Sequence, residues 1–189
     1  MPGRFFARGF RSLGSRALLL LALTLILAAC QAREAKLSPA AAAFRQEVKD
    51  CLARLTTPLV APVVQRNQQA ITEALKQAEP EAIKLCRMCP FRMGVLDPQG
   101  ETLTVYPFKE EAMGNFSSYD VVKQTLKNRR INQQRFYLQD GSQLYIICAP
   151  IMEGENLLGI LALSLNAAEA KSRWGLTAEE FLKIDFNQK

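Results

Sequence analysis

The sequence predicts an α+β protein in which a long N-terminal helix, straight or kinked, precedes a five-stranded antiparallel sheet with flanking helices. Two patterns carry this prediction. From Pro39 to Ala78 apolar residues return every three or four positions, which is the period of an amphipathic helix. Farther along, short apolar runs are separated by turn sequences such as Asp140-Gly141, which is typical of strands joined in sequence order. The chain therefore changes from helix to sheet near residue 86.

The helical region begins and breaks at identifiable residues. Ser38 followed by Pro39 is a favourable helix start, because proline fits the first turn of a helix. Pro58 and Pro62 remove backbone donors inside the run. The sequence therefore leaves open one kinked helix or two helices with a break between them. We assign residues 39–85 to a helical stalk.

The sheet region contains five strand-like runs and one helix. The strands are predicted at 91–97, 102–108, 135–139, 143–152 and 157–165, and the helix at 118–130. The last three runs are linked by tight turns, which indicates an antiparallel meander. A final helix within 167–184 is interrupted by Gly175 and restarts at Thr177, where Glu180 completes a capping box.

The first 29 residues have the features of an export signal. Four arginines and no acidic residue accompany an apolar run that is too short to span a bilayer as a permanent helix. The run ends in Leu27-Ala28-Ala29-Cys30, which resembles the lipobox of bacterial lipoproteins. The resemblance implies a lipid such as palmitate on the Cys30 sulfur, cleavage before it, and a place in the cell envelope facing the periplasm. Where the lipoprotein sorting rule of enteric bacteria applies, Gln31 in place of aspartate favours the outer membrane over the inner one.

Removal of the leader changes the charge of the chain. Four of the 24 lysines and arginines lie in the leader, so the mature chain has 20 against 18 acidic residues, a net charge of +2. So small a charge gives no basis for nucleic-acid binding. The chain thus divides into a signal peptide at 1–29, a tether at 30–38, the stalk at 39–85, a core at 86–166 and a C-terminal helix and tail at 167–189.

Cys86 and Cys89 have the spacing of redox dithiols, of half a zinc site and of covalent haem attachment. The chain contains no histidine, which haem attachment requires directly after the second cysteine. Only this pair has the spacing of metal ligands, so we expect no metal and no cofactor. A catalytic dithiol needs a stabilised thiolate, whereas a helix that ends just before the pair opposes one.

A structural disulfide is therefore the favoured interpretation, and a periplasmic thiol–disulfide oxidoreductase using Cys86 and Cys89 is the alternative. Whether Cys86 pairs with Cys89 or with Cys51 stays open at this point. Cys148, in an apolar strand run, is predicted to be a small buried hydrophobic residue. Without histidine, and without a G-x-S-x-G or a glycine-rich phosphate loop, the sequence predicts a protein that is not an enzyme.

The strand region resembles the Cache superfamily of extracellular, PAS-like sensor domains. The similar segments are VLDPQGETLTVYP at 95–107, the segment that starts at Gly114 before a short helix, and the run at 137–165 with its Ala149-Pro150-Ile151 and Leu158-Gly159-Ile160-Leu161 ends. The resemblance covers residues 39–166 and implies a PAS-like sheet that binds a small molecule. Because such domains sit between two membrane helices, and this chain shows neither a second one nor a signalling domain, we expect it to act through a homodimer or an envelope signalling partner.

The resemblance also implies a ligand pocket between the sheet and the helix after the second strand. On this sequence it points to Tyr106, Tyr119, Arg129, Arg130, Tyr137 and Tyr145. Arginine forks bind carboxylates through paired hydrogen bonds, and tyrosines supply rigid walls and hydroxyl groups. A small carboxylate or an amino acid is therefore the expected ligand.

Overall fold

The computed structural model describes residues 37–89 and 92–188. The predicted signal peptide and the lipidation site Cys30 lie outside the described residues. From Leu37 onward the chain forms one compact unit.

Three helices open the described chain. Helix α1 spans Pro39–Thr56 and begins where the Ser38 hydroxyl accepts the Ala41 N–H at 3.1 Å. A 3₁₀ turn at Thr57–Leu59 and helix α2 at Val60–Val64 follow, and helix α3 spans Gln68–Leu85. The backbone stays helical across Pro58 and Pro62, and the break falls just after them, where Arg66 is left-handed (φ 49°), so α3 is a separate helix.

Five strands form one sheet. They are β1 (Met93–Leu96), β2 (Thr102–Tyr106), β3 (Asn132–Tyr137), β4 (Gln143–Glu153) and β5 (Asn156–Asn166). The order across the sheet is β2-β1-β5-β4-β3, with every neighbouring pair antiparallel. Helix α4, Asp120–Asn128, connects β2 to β3. The predicted α+β class, with a PAS-like five-stranded antiparallel sheet and flanking helices, is confirmed.

The first three helices cover one face of the sheet, which we call the helix face. Phe44 of α1 and Leu75 of α3 share one buried cluster with Ile147 of β4 and Leu163 of β5. The segment predicted as a stalk is therefore packed onto the sheet. The apolar stripe of its helices contacts the strands. Residues 39–85 and the sheet thus share a core.

Two short helices at the end of the chain complete the helix face. Helix α5 spans Ala167–Trp174 and helix α6 spans Ala178–Lys183, with Gly175 in a left-handed conformation (φ 65°) between them. The Phe181 ring of α6 stacks on the Tyr145 ring with centroids 4.0 Å apart. The Trp174 ring meets the Phe44 ring edge-on at 5.7 Å. The C-terminal helices are therefore part of the core.

The opposite face of the sheet, here the cavity face, has a much smaller cluster. Leu96, Cys148 and Ile160 of the strands are buried there against Val121 and Val122 of α4. Helix α4 is only nine residues long, so it covers part of this face. The uncovered part is the location of the candidate site.

Candidate functional site

A cavity of about 360 Å³ lies between the cavity face and the segment that leads into α4. Its walls are apolar side chains from several strands and from α4, including Leu96, Val105, Val122, Phe136, Leu144 and Ile146. Binding sites for small molecules have this size and this mainly apolar lining. The cavity is therefore the candidate functional site.

The floor of the cavity is a row of small residues on three adjacent strands. Gly94 of β1 lies opposite Ala162 of β5, and Ala162 lies opposite Cys148 of β4. All three line the cavity. Larger side chains at these positions would fill the space between the sheet and α4, so this row accounts for the cavity.

Cys148 is fully buried, and burial raises the pKa of its thiol to about 12. The thiol therefore stays protonated and neutral under physiological conditions. Within the described residues Cys148 is a free cysteine. The prediction of a small buried hydrophobic residue is confirmed, and the structure adds that the cavity borders this side chain.

Two of the six predicted ligand residues line the cavity. Tyr119, next to α4, is 42% exposed, and Tyr137, at the end of β3, is 64% exposed. The Tyr119 ring lies 5.6 Å from Phe116 and 5.5 Å from Phe136, centroid to centroid. The rings of Phe116, Tyr119 and Phe136 form one aromatic wall of the cavity.

Tyr106 and Tyr145 belong to the helix face. The Tyr106 hydroxyl donates to Glu79 Oε2 of α3 at 3.1 Å. Tyr145 is buried against Phe181, and burial raises the pKa of its phenol. Successive side chains of a strand point to opposite faces, and these two tyrosines occupy positions that point away from the cavity.

Arg129 and Arg130 are exposed and are not among the residues that line the cavity. Arg129 ends α4 in a left-handed conformation, and its guanidinium donates to the backbone oxygen of Glu155 at 2.8 Å. Arg130 follows it on the surface. The expectation that all six residues meet in one carboxylate site is therefore not met, because the arginines follow the last turn of α4 away from the pocket.

Charge is scarce in the cavity. Glu111 is the one charged side chain among the described lining residues, and neither lysine nor arginine occurs there. Its side chain is 77% exposed and lies 3.9 Å from Lys109 Nζ. Neither Glu111 nor the small-residue row was predicted from the sequence, because neither has a local signature.

Cys86 and Cys89 are joined by a disulfide, which settles the open pairing, and Cys51 is a buried free thiol. The two bonded cysteines are 1% and 5% exposed. The buried carboxylate of Glu169 accepts the backbone N–H groups of Arg87 at 2.8 Å and Met88 at 3.0 Å. Disulfide and carboxylate together fix the joint between α3 and β1.

The surroundings of this disulfide bear on the redox alternative. A Glu169 oxygen lies 3.2 Å from Cys86 Sγ, where its charge would oppose a thiolate. Burial alone raises the pKa of Glu169, but the two backbone donors and the Arg173 guanidinium hold it below its usual value. The negative charge of Glu169 and the burial of both sulfurs favour a structural role for the Cys86–Cys89 disulfide over a redox role.

The described residues offer neither a metal-binding cluster nor a membrane-spanning helix. In the ranges 37–89 and 92–188, histidine, cysteine, aspartate and glutamate nowhere gather in threes in a way that could hold a metal ion. Over the same ranges, each helix is too short or too polar to cross a membrane.

No protein-family model and no curated protein matches the chain in sequence. Solved structures do match it in fold. One is a domain from Vibrio parahaemolyticus described as a sensory box/GGDEF family protein, with TM-score 0.55 and 12% identity over 88% of this chain and 64% of that one. Another is the ligand-binding domain of the Pseudomonas fluorescens chemoreceptor CtaA in complex with L-isoleucine, with TM-score 0.53 and 12% identity over 84% of this chain and 62% of that one.

A further match is the sensory domain of the Campylobacter jejuni chemoreceptor Tlp3 with isoleucine bound. Its TM-score is 0.50 at 10% identity, over 70% of this chain and 59% of that one. The chain thus spans about three fifths of the length of each of these three structures. At such low identity the likeness concerns the fold, which this chain shares with extracellular sensor domains of bacterial receptors.

Proposed function

We propose that this protein is a lipid-anchored, extracytoplasmic sensing or binding module whose small-molecule ligand occupies the cavity between α4 and the sheet. The observation that carries the proposal is the cavity itself, about 360 Å³ with an apolar lining and an aromatic wall on a PAS-like sheet. Two of the similar domains have isoleucine bound, which supports a ligand of small size.

The proposal places the protein in the cell envelope, facing the periplasm, and held at the outer membrane by a lipid on Cys30. The export signal and the lipobox-like Leu27–Cys30 segment support this placement. A ligand-dependent change would reach an envelope partner or a second copy of the chain.

The anchor can be tested by exchanging the leader for an ordinary cleavable signal peptide and combining it with Cys30→Ser. Stable attachment requires more than one acyl chain or a second membrane signal, so loss of the lipid should release the processed protein. Fractionation that still finds this variant in the membrane pellet after a high-salt wash would refute the anchor.

The ligand site can be tested by thermal shift with the processed Cys30→Ser protein as the parent. A matched pair of substitutions separates the cavity from the surface. Ala162→Leu fills the floor of the cavity, whereas Ala53→Leu adds the same atoms at an exposed position of α1.

A ligand at one hundred times its dissociation constant stabilises the folded state by about 2.7 kcal/mol. For a chain of this size that is a rise of roughly 5–10 °C in melting temperature. In a metabolite screen we expect hits that stabilise the parent and the Ala53→Leu protein but not the Ala162→Leu protein. Hits that stabilise all three equally would place the ligand outside the cavity.

A further inference from the structure

We infer that the cavity selects an uncharged, largely apolar ligand and discriminates against carboxylates and free amino acids. This inference rests on the proposed function, since it names the chemical class that the same site takes. It differs from the expectation drawn from Arg129 and Arg130, and it follows from the charges and shapes that surround the cavity.

An anion in this cavity would lack a partner of opposite charge among the described lining residues. An ionised carboxylate loses its hydration on entering an apolar site, and the loss is recovered only through a positive charge or several hydrogen bonds. No lysine or arginine is found among the described lining residues. The one charge there is Glu111, which has the same sign as the ligand would have.

The two arginines cannot supply the missing charge from where they lie. The Arg129 guanidinium donates to the Glu155 carbonyl at the turn between β4 and β5. Arg130 is exposed beside it, and its backbone N–H donates to Asn128 Oδ1 at 2.9 Å. Both side chains belong to the surface at the C-terminal end of α4.

The ammonium group of an amino acid would gain little electrostatic stabilisation in this cavity. Glu111 could attract it, but the Glu111 side chain is largely in solvent and has Lys109 within 3.9 Å. Ion pairs at such exposed positions contribute little, because water and salt screen them. The amine of an amino acid therefore does not offset the cost of desolvating its carboxylate.

The shape of the cavity favours a branched or flat apolar body. The floor is flat because Gly94, Ala162 and Cys148 are small, and the rings of Phe136 and Tyr119 form a wall. A closed apolar cavity of about 150 Å³ is enough to hold benzene. At about 360 Å³, this cavity accepts a somewhat larger molecule.

Apart from Glu111, the polar groups of the described lining residues are neutral, and the nearby Arg135, which is not among them, has its guanidinium carbon 4.9 Å from the centroid of the Tyr137 ring. Tyr119 and Tyr137, two exposed residues of the lining, carry hydroxyls that can each donate or accept a hydrogen bond. An alcohol, phenol or amide group on an otherwise apolar ligand would match them. The Cys148 thiol adds no charge at the floor.

Matched pairs of probes test the inference directly. One pair is 3-methyl-1-pentanol and 3-methylpentanoate, which share a branched chain, and L-isoleucine adds the amine to the second of these. The other pair is toluene and benzoate. Binding is followed by NMR through the amide signals of Gly94, Ala162 and Cys148, in the processed Cys30→Ser protein and in its Ala162→Leu and Ala53→Leu variants.

We expect the uncharged member of each pair to bind at least about tenfold more tightly than its carboxylate, a difference of about 1.4 kcal/mol. Ala162→Leu should weaken the binding of the uncharged probes by a similar factor, and Ala53→Leu should leave their affinities unchanged. Equal or tighter binding of the carboxylates or of isoleucine at the same signals would overturn the inference and leave the proposed function intact. Absence of binding by every probe would overturn the inference, and only a failed metabolite screen would remove the function with it.

Discussion

The two faces of the sheet are built from alternate residues of the same strands, yet they pack in opposite ways. On the helix face, Tyr145, Ile147 and Leu163 are buried beneath five helices and their connections. On the cavity face, the neighbouring positions Cys148 and Ala162 are small, and one nine-residue helix covers them in part. The first face is arranged for stability, whereas the second leaves a space that a ligand can fill.

The largest effect is expected from Ile147→Ala. Ile147 is completely buried on the helix face, and truncating such a residue costs roughly 2–5 kcal/mol because a cavity remains. Its neighbour Ile146 lines the existing cavity and is only partly buried. Ile146→Ala should cost about 1 kcal/mol, since it enlarges a space that is already there.

Urea denaturation of both variants measures the difference between their free energies of unfolding. A smaller loss for Ile147→Ala than for Ile146→Ala would contradict the assignment of the two faces.

Strand β4, which contains Ile146 and Ile147, shows which features of the fold could be predicted from the sequence. The alternation in β4 and the Asp140-Gly141 turn are local signals, so the strands and their antiparallel meander were predictable. The row of Gly94, Ala162 and Cys148 was not. These residues are far apart in sequence and meet only because β1 inserts beside β5.

The candidate ligand residues divide along the same line. Tyr119 and Tyr137 line the cavity, whereas Tyr145 was assigned to it although alternation places it on the face of its strand neighbour Ile147. Arg129 is itself the left-handed residue that ends α4. The sequence alone does not locate the end of this helix, so it could not predict where the Arg129 side chain lies. Local patterns therefore predicted the elements, and long-range register decided the site.

The disulfide comes next in expected effect. Replacing Cys86 and Cys89 together by serine should lower the free energy of unfolding by about 2 kcal/mol, because closing so short a loop removes little entropy from the unfolded chain. Since the pair fixes the joint of the helix face, probe binding at the cavity should persist. Mass spectrometry after alkylation of the native protein should find Cys86 and Cys89 unmodified, and two free thiols at these positions would contradict the cross-link.

Glu169 should make the helix face sensitive to acid. Its pKa is held below the ordinary value of 4.5, since the N–H groups of Arg87 and Met88 and the Arg173 guanidinium outweigh the effect of burial. A carboxyl with a lowered folded-state pKa stabilises the protein fully above its unfolded-state pKa, and this contribution is lost as the pH falls through the lower, folded-state value.

Glu169→Gln should therefore cost about 1–2 kcal/mol at pH 7, because the neutral amide accepts the two N–H groups less strongly. The difference between the free energies of unfolding of the variant and the parent should narrow between about pH 5 and pH 3, which is roughly the range around a carboxyl pKa. Urea titrations across this range measure the gap, and a constant difference at every pH would show that the charge of Glu169 has no part in stability.

The smallest single change in stability is expected at Ala162, and it belongs to the sharpest comparison of the two faces, in which atoms are added instead of removed. Ala149→Leu introduces a larger side chain into the closely packed helix face, and overpacking of this kind costs about 1–3 kcal/mol. Ala162→Leu introduces the same side chain into the floor of the cavity, where there is room for it, so the expected change is between zero and a gain of about 1 kcal/mol. Thermal denaturation of the two variants in the same buffer measures the contrast. A cost at Ala162 as large as at Ala149 would mean that the cavity closes in solution, and with it the site proposed for the ligand.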